Sequence, residues 1–327
     1  MKNKSPLHLA ARIAFITSFF ILLAKFFAFS ITGSKAVLSD AIESIINVVT
    51  GAFVLYSINI STQPADKDHP YGHGKIEAFS AGLEGGLIIL ASIMILVEAM
   101  PGFFNPQAPT NLNYGIAILF GAGIVNMLVG LYLLHSGKKL KSEALQADGY
   151  HLLTDFYTSA GVLVGLVLVR LSGWLWLDPL VACLVAVNIM IPGLKLVSKA
   201  VKNLMDEADP ELLDRIVKAL NQSKKTGWLY PHKLRAIRSG RYHHIDMHIA
   251  LPYYWSLERV HAAQKEITDT LLADIGEEGD IMVHIDPCEP PYCPCCDLEP
   301  CPERAHEIKS TETWTVRSVT SPRPGSN

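Results

Sequence analysis

Asp40, Glu43 and Asn47 interrupt the apolar run LSDAIESIINVV, and Asp148, His151 and Asp155 interrupt LQADGYHLLTDFY with the same i, i+3, i+7 spacing. On a helix each trio falls roughly along one face. Ionisable groups inside apolar segments are costly at membrane depth and usually mark an ion or proton path. Glu43, Asn47, His151 and Asp155 together offer one imidazole and three oxygen-bearing side chains, a donor set that suits a tetrahedral site for a divalent first-row metal. A single buried polar residue is explained by hydrogen bonding between helices; two matched trios favour an ion site. Asp40 and Asp148 lie one turn from the quartet and read as neighbouring pathway groups.

The elements that position these faces follow from hydropathy. The chain has 327 residues, half of them hydrophobic, with a formal net charge of −3 and mean hydropathy of +0.26. Its charges sit outside the long apolar runs, which argues for a polytopic membrane protein. A span needs about 20 mostly apolar residues. Six segments qualify: 9–32, 36–60, 78–100, 114–136, 144–170 and 174–199. Spans 2 and 5 carry the trios and are the least hydrophobic, as faces turned toward a bundle interior would be. Lys25 in span 1 reads as snorkelling or paired inside the bundle. Glu84, in AGLEGGLII, reads as a hydrogen bond across helices near small residues. Cys183 in span 6 reads as core packing.

Basic residues set the orientation. Lys2, Lys4 and Arg12 flank span 1, Lys67 and Lys75 lie between spans 2 and 3, and Lys138, Lys139 and Lys141 between spans 4 and 5. The connection 101–113 has neither Lys nor Arg, and Trp174 and Trp176 suit an outer aromatic belt. Both termini are therefore expected in the cytoplasm. The first apolar run is too long for a signal-peptide core and reads as a retained span.

Beyond residue 205 the composition becomes that of a soluble domain. PELLDRIVKALNQ suits an amphipathic helix, KLRAIRSG and YHHIDMHIAL two strands, SLERVHAAQKEITDTLLADI a second helix with Ser256 as cap, and DIMVHID a third strand. The order α-β-β-α-β predicts a small α+β sandwich. The expected organisation is a six-helix transmembrane domain (1–204), a cytosolic α+β domain (205–290) and a Cys/Pro-rich, disordered tail (291–327). Period-2 alternation puts Ile245, Met247 and Ile249 on one face of the second strand and His244, Asp246 and His248 on the other. His284 and Asp286 share the polar face of the third strand. His243 and His244 read as solvated residues at a strand start.

Five of the six cysteines, 288, 293, 295, 296 and 301, crowd one short segment. In a reducing cytoplasm, thiolate metal binding is the natural reading. Cys293-x-x-Cys296 has zinc-knuckle spacing, and Cys288, Cys295, Cys301 and His306 are available to complete a site. The proline density predicts an extended strap rather than a helix.

PADKDHPYGHGKIEAFSA, at 64–81, resembles the connection between the second and third spans of the cation diffusion facilitator family of divalent metal/proton antiporters. The paired trios, the six spans and the α-β-β-α-β domain resemble that family too, over about residues 8–290. The resemblance implies a ferredoxin-like, metallochaperone-like cytosolic domain, a transport site on spans 2 and 5, homodimerisation through the cytosolic domain and alternating access driven by protons. It also implies a loop metal site at Asp66, His69 and His73, whose D-x-x-H-x-x-x-H spacing would bring them together if the loop continued helically. A cytosolic site at His232, His248, His261, His284 and Asp286 follows likewise, as does a Lys75–Asp206 pair interlocking the two halves. The sequence departs from the family at one place: Glu43 and Asn47 stand where His or Asp is usual, so the site has one negative charge fewer.

The expected function is export of a divalent transition metal from the cytosol in exchange for protons. Zinc is first by resemblance, with Fe2+, Mn2+ and Cd2+ open because oxygen-rich sites favour harder ions. The alternative from another class is a membrane-bound metal sensor or buffer with the Cys-rich tail dominant. An intramembrane metalloenzyme has no HExxH or comparable motif in its support. The expected partners are the metal, protons, a second copy of the chain and the lipid bilayer, most simply a bacterial inner membrane. No basic stripe points to nucleic acid, and the glycines lack phosphate-loop spacing, so no nucleotide is expected.

Overall fold

The computed structural model describes residues 6–32, 35–104, 113–174, 176–240, 242–275, 279–308 and 313–322. The chain divides into two compact units, Met1–Met205 and Asp206–Asn327.

The first unit holds six long helices: α1 (Pro6–Thr32), α2 (Lys35–Ser61), α3 (Lys75–Phe104), α4 (Asn113–Lys139), α5 (Glu143–Ser172) and α6 (Leu177–Leu204). Among the described residues, stretches of α1, α3, α4 and α6 are long and apolar enough to cross a membrane. Leu7, Ala10, Ala14, Val54, Ile58, Leu133, Leu145 and Leu152 form a core joining α1, α2, α4 and α5. Large apolar side chains such as Phe20, Phe27, Val97 and Leu184 point outward and stay exposed, as a hydrocarbon surrounding allows.

Small residues let the helix backbones approach, a common device where lipid removes the hydrophobic drive for association. A Cβ added at Gly149 would stand 2.9 Å from the Gly130 carbonyl oxygen, and one at Gly85 would stand 2.9 Å from that of Gly193. Thus α5 lies directly on α4, and α3 on α6. Polar bonds tie helix ends: buried Glu77 accepts from Ser61 and Ser142, and Glu143 accepts from Asn203 at 2.9 Å and faces Lys199 at 3.3 Å. Lys25 is buried.

The second unit contains α7 (Pro210–Gln222), β1 (Tyr230–Ser239), β2 (Tyr242–Leu251), α8 (Leu257–Ile275) and β3 (Gly279–Pro287), then a 3-10 turn (Pro290–Cys295) and α9 (Val316–Thr320). Asp209 caps α7 by accepting from the amides of Glu211 and Leu212, with Pro210 in the first turn. Ser256 accepts from the Arg259 amide at the start of α8. Sheet order is β1-β2-β3, antiparallel and then parallel. The parallel pair requires a crossover, which α8 supplies. One core gathers Leu212, Ile216, Leu220, Ile245, Met247, Ile249, Ile267, Leu271 and Val283.

Three expectations fail here. His243 is buried, because it has the parity of Ile245, Met247 and Ile249 and so points to their face. The Pro-rich strap makes a 3-10 turn rather than an extended run; proline at N1 is compatible with a helical start. The tail is ordered over the described residues 313–322, where Trp314 and Val319 enter the domain core. Asn221 donates to the Trp314 carbonyl at 2.8 Å and accepts from its amide at 2.9 Å. Two apolar residues in a polar tail were enough to dock it.

Candidate functional site

The strongest constellation lies between α2 and α5. Asn47 donates through Nδ2 to Asp155 Oδ2, and its Oδ1 lies 2.8 Å from His151 Nε2. One carboxamide therefore bridges the two α5 residues one turn apart that the i, i+4 spacing places on one face. Asn47, His151 and Asp148 are buried, and Asp155 is partly so. Asp40 and Glu43 also belong to α2, but their side chains lie outside the described residues. The structure thus joins three of the four predicted donors.

Glu84 was read from sequence only as a helix-to-helix contact. It is buried on α3, with Oε2 at 3.4 Å from His151 Nδ1. A third helix therefore contributes to the site. Its signal in the sequence is a lone acid amid AGLEGGLII, but the partner, 67 positions on and two helices later, has no local spacing to reveal it.

The loop cluster is formed as spacing and resemblance suggested, without a continuous helix. Asp66 accepts from the His69 amide at 2.7 Å and the Asp68 amide at 3.0 Å. His69 Nδ1 and His73 Nε2 each stand 3.4 Å from the Asp66 carboxylate. The His69 amide first, with the Asp68 amide and the two imidazoles beside it, holds the Asp66 carboxyl below its ordinary range despite opposing desolvation. Gly72, at φ +80°, makes the turn between the histidines.

On the sheet, His232 of β1, His248 of β2 and His284 of β3 stand side by side in register. Asp286 Oδ2 lies 3.0 Å from His232 Nε2 and 3.1 Å from His248 Nδ1, and its Oδ1 lies 3.4 Å from His284 Nε2. Burial pushes His232 below its ordinary value against the Tyr230 carbonyl and Asp286. Burial works to raise Asp286, but the His248 hydrogen bond and the three imidazoles hold it low. Among the described residues, the trios Asp66/His69/His73 and His232/His248/Asp286 have ligand atoms within 4.8 Å of one another. His261 is exposed on α8, outside that group.

Among the described residues, the tail cysteines do not bring three ligand atoms within 4.8 Å of one another. Cys288, Cys293, Cys296 and Cys301 are unpaired thiols, and they form no such group among the described residues. The Cys295 side chain lies outside the described residues. Cys296 instead turns into an apolar cluster with Leu229, Tyr230, Ala250 and Tyr292, and burial, the largest cause, raises its thiol. Arg304 donates to the carbonyls of Cys293, Cys296 and Leu298 and so fixes the turn. Lys75 opens α3, and Asp206 begins the second unit with φ at +58°.

Residues 11–205 match the cation efflux transmembrane domain, and residues 208–288 the cytoplasmic domain of cation efflux proteins. An uncharacterized transporter of Synechocystis sp. is 35% identical over 82% of this chain and 86% of its own length. The manganese efflux system protein MneP of Bacillus subtilis is 28% identical over 85% of this chain and 95% of its own. The cation-efflux pump FieF of Serratia proteamaculans is 27% identical over 85% and 92%. With both domains matched in order and the polar helices in place, this chain belongs to the cation efflux family, as a multi-pass membrane transporter of divalent metal cations and not an enzyme.

Proposed function

We propose that the protein exports a divalent transition metal from the cytosol in exchange for protons, through a site made by Glu43, Asn47, His151 and Asp155. The observation that carries this is the Asn47 bridge between His151 and Asp155 at buried depth. It supports two helix faces acting on one ion. With Asn47 Nδ2 donating to Asp155, its Oδ1 is the acceptor for a proton on His151 Nε2. A metal taking that nitrogen must displace the proton, because ligands bind in their deprotonated forms. Metal loading and proton release are then the same event seen from either side.

Zn2+ leads by resemblance, while the oxygen-rich donors and the likeness to a manganese efflux protein keep Mn2+, Fe2+ and Cd2+ in the substrate class. The Asp66/His69/His73 and His232/His248/Asp286 clusters, with His284 adjoining, are proposed as peripheral metal sites that are not on the transport path. His261 is proposed to join the cytosolic site and Cys288, Cys293, Cys295, Cys296 and Cys301 a tail site on resemblance and thiol chemistry. A homodimer, cytoplasmic termini in a bacterial inner membrane and a Lys75–Asp206 interlock complete the reading; the cytoplasmic domain matched at 208–288 supports the dimer.

Proteoliposomes with a trapped metal dye and a pH dye test this. Wild type is expected to move metal one way and protons the other. Asp155→Ala should abolish both fluxes, and unchanged flux would remove Asp155 from the site.

A further inference from the structure

We infer that Glu84 of α3 belongs to the transport site as the carboxylate that positions His151, supplying from a third helix the negative charge that α2 lacks at Asn47. This rests on the transport reading above. Glu84 is 1% exposed, and its Oε2 has no hydrogen-bond partner among the described residues although it stands 3.4 Å from His151 Nδ1. A buried carboxylate oxygen left in that state is expensive. The nitrogen it faces is the one turned away from Asn47 and Asp155.

The two ring nitrogens of His151 therefore have distinct surroundings. Nε2 faces the Asn47–Asp155 side, where a metal would sit, and Nδ1 faces Glu84. A carboxylate behind a metal-binding imidazole holds the proton on Nδ1, so that Nε2 is the nitrogen that gives up its proton to the metal; it also fixes the ring plane and raises its basicity. Glu84 joins α3 to His151 of α5 and Asn47 joins α2 to the same imidazole, so α2, α3 and α5 meet at one side chain.

Charge argues the same way. Asn47 is neutral, so only one of the two proposed donors of α2, Glu43, is an acid. Bringing a divalent cation into a low-dielectric bundle favours compensating negative charge nearby. Glu84 meets that need without occupying a place on the ion. The small residues around it explain why it reaches there. Gly85 lets α3 press on α6 at Gly193, which fixes the rotation of α3 and hence the direction of Glu84.

The experiment compares Glu84→Gln, Glu84→Asp, Asn47→Asp and the double variant Asn47→Asp/Glu84→Gln in detergent-purified full-length protein and in proteoliposomes. Zn2+ and Mn2+ are the probes, and thermal melting normalises for folded fraction. Glu84→Gln keeps size and removes charge; it should weaken metal affinity by roughly 10- to 100-fold, the usual effect of losing a carboxylate behind a metal-bound histidine. Its KM should rise more than its kcat falls. Glu84→Asp should lose less, and Asn47→Asp in the Glu84→Gln background should recover at least part of the affinity by returning the charge. An unchanged KM in Glu84→Gln, equal losses in Gln and Asp variants, or no recovery in the double variant overturns the inference. Asp155→Ala runs alongside: if it transports normally, the transport reading falls; if it is inactive while Glu84→Gln is normal, only the role of Glu84 falls.

Discussion

Asn47 Oδ1 and His151 Nε2 lie 2.8 Å apart although 104 positions separate them in the chain. That contact, with the Asp155 bond on the other arm of the same amide, locks α2 to α5 at the depth where an ion would be held.

Asn47→Ala removes both bonds at once. Leaving buried polar partners unmet costs about 1–3 kcal/mol, so the detergent-solubilised variant should melt earlier. It should also lose metal affinity, since the arm that aligns His151 with Asp155 is gone. Melting curves and metal titration on the same sample check both effects. An unshifted melt would mean the amide does not couple the helices.

Gly149→Leu addresses the helix packing. A Cβ there would already stand 2.9 Å from the Gly130 carbonyl and 3.0 Å from the Leu134 amide nitrogen. Backbone atoms have little room to yield, so overpacking of at least 1–3 kcal/mol is expected. His151 sits two residues on, and transport should fall as α5 is displaced. Gly86→Leu is the control, because nothing lies within 4 Å of its added Cβ; it should behave as wild type in a melt and in uptake.

Acid should loosen the cytosolic unit in two steps. His232 is held below 6.5, first by burial, so the folded state binds its proton less tightly than the unfolded state does. The stability it contributes is complete above about pH 6.5 and is lost as pH falls through the lowered folded value. Asp286 is below 3.8 in the folded state, with its three histidines outweighing the burial that would raise it; its contribution is lost lower still. Melting of full-length protein followed at about pH 7.5, 6.0, 4.5 and 3.0 (assay values, chosen about the ordinary pKa values) should decline monotonically. His232→Asn should flatten the upper step and leave the lower one.

Trp314→Ala tests whether the tail is part of the domain. The ring is buried in the core of the second unit, and emptying such a site costs about 3–5 kcal/mol. Limited proteolysis should then cut residues 309–322 faster than in wild type, with transport by the first unit retained. Equal cutting rates would show that the tail does not depend on this anchor.

The sequence by itself determined the six long helices, the α-β-β-α-β order and the pairing of polar faces on α2 and α5. Periodicity of 3.6 or 2 and sustained apolarity are properties of neighbouring residues, so a linear reading reaches them. Strand alternation also put His248 on one polar face and His284 and Asp286 on another, while the loop trio and His232 followed from the family resemblance. Tertiary structure decided what no spacing encodes. The approach of α3 to α6 at Gly85 and Gly193 set the rotation that aims Glu84 at His151. Sheet register brought His232 beside His248 and Asp286, and left His261 on an exposed helix face. Trp314 and Cys296 looked like tail residues until an open apolar surface drew both inward. In each case the deciding term is packing between distant segments, whose free energy depends on surfaces that exist only after the local elements have formed.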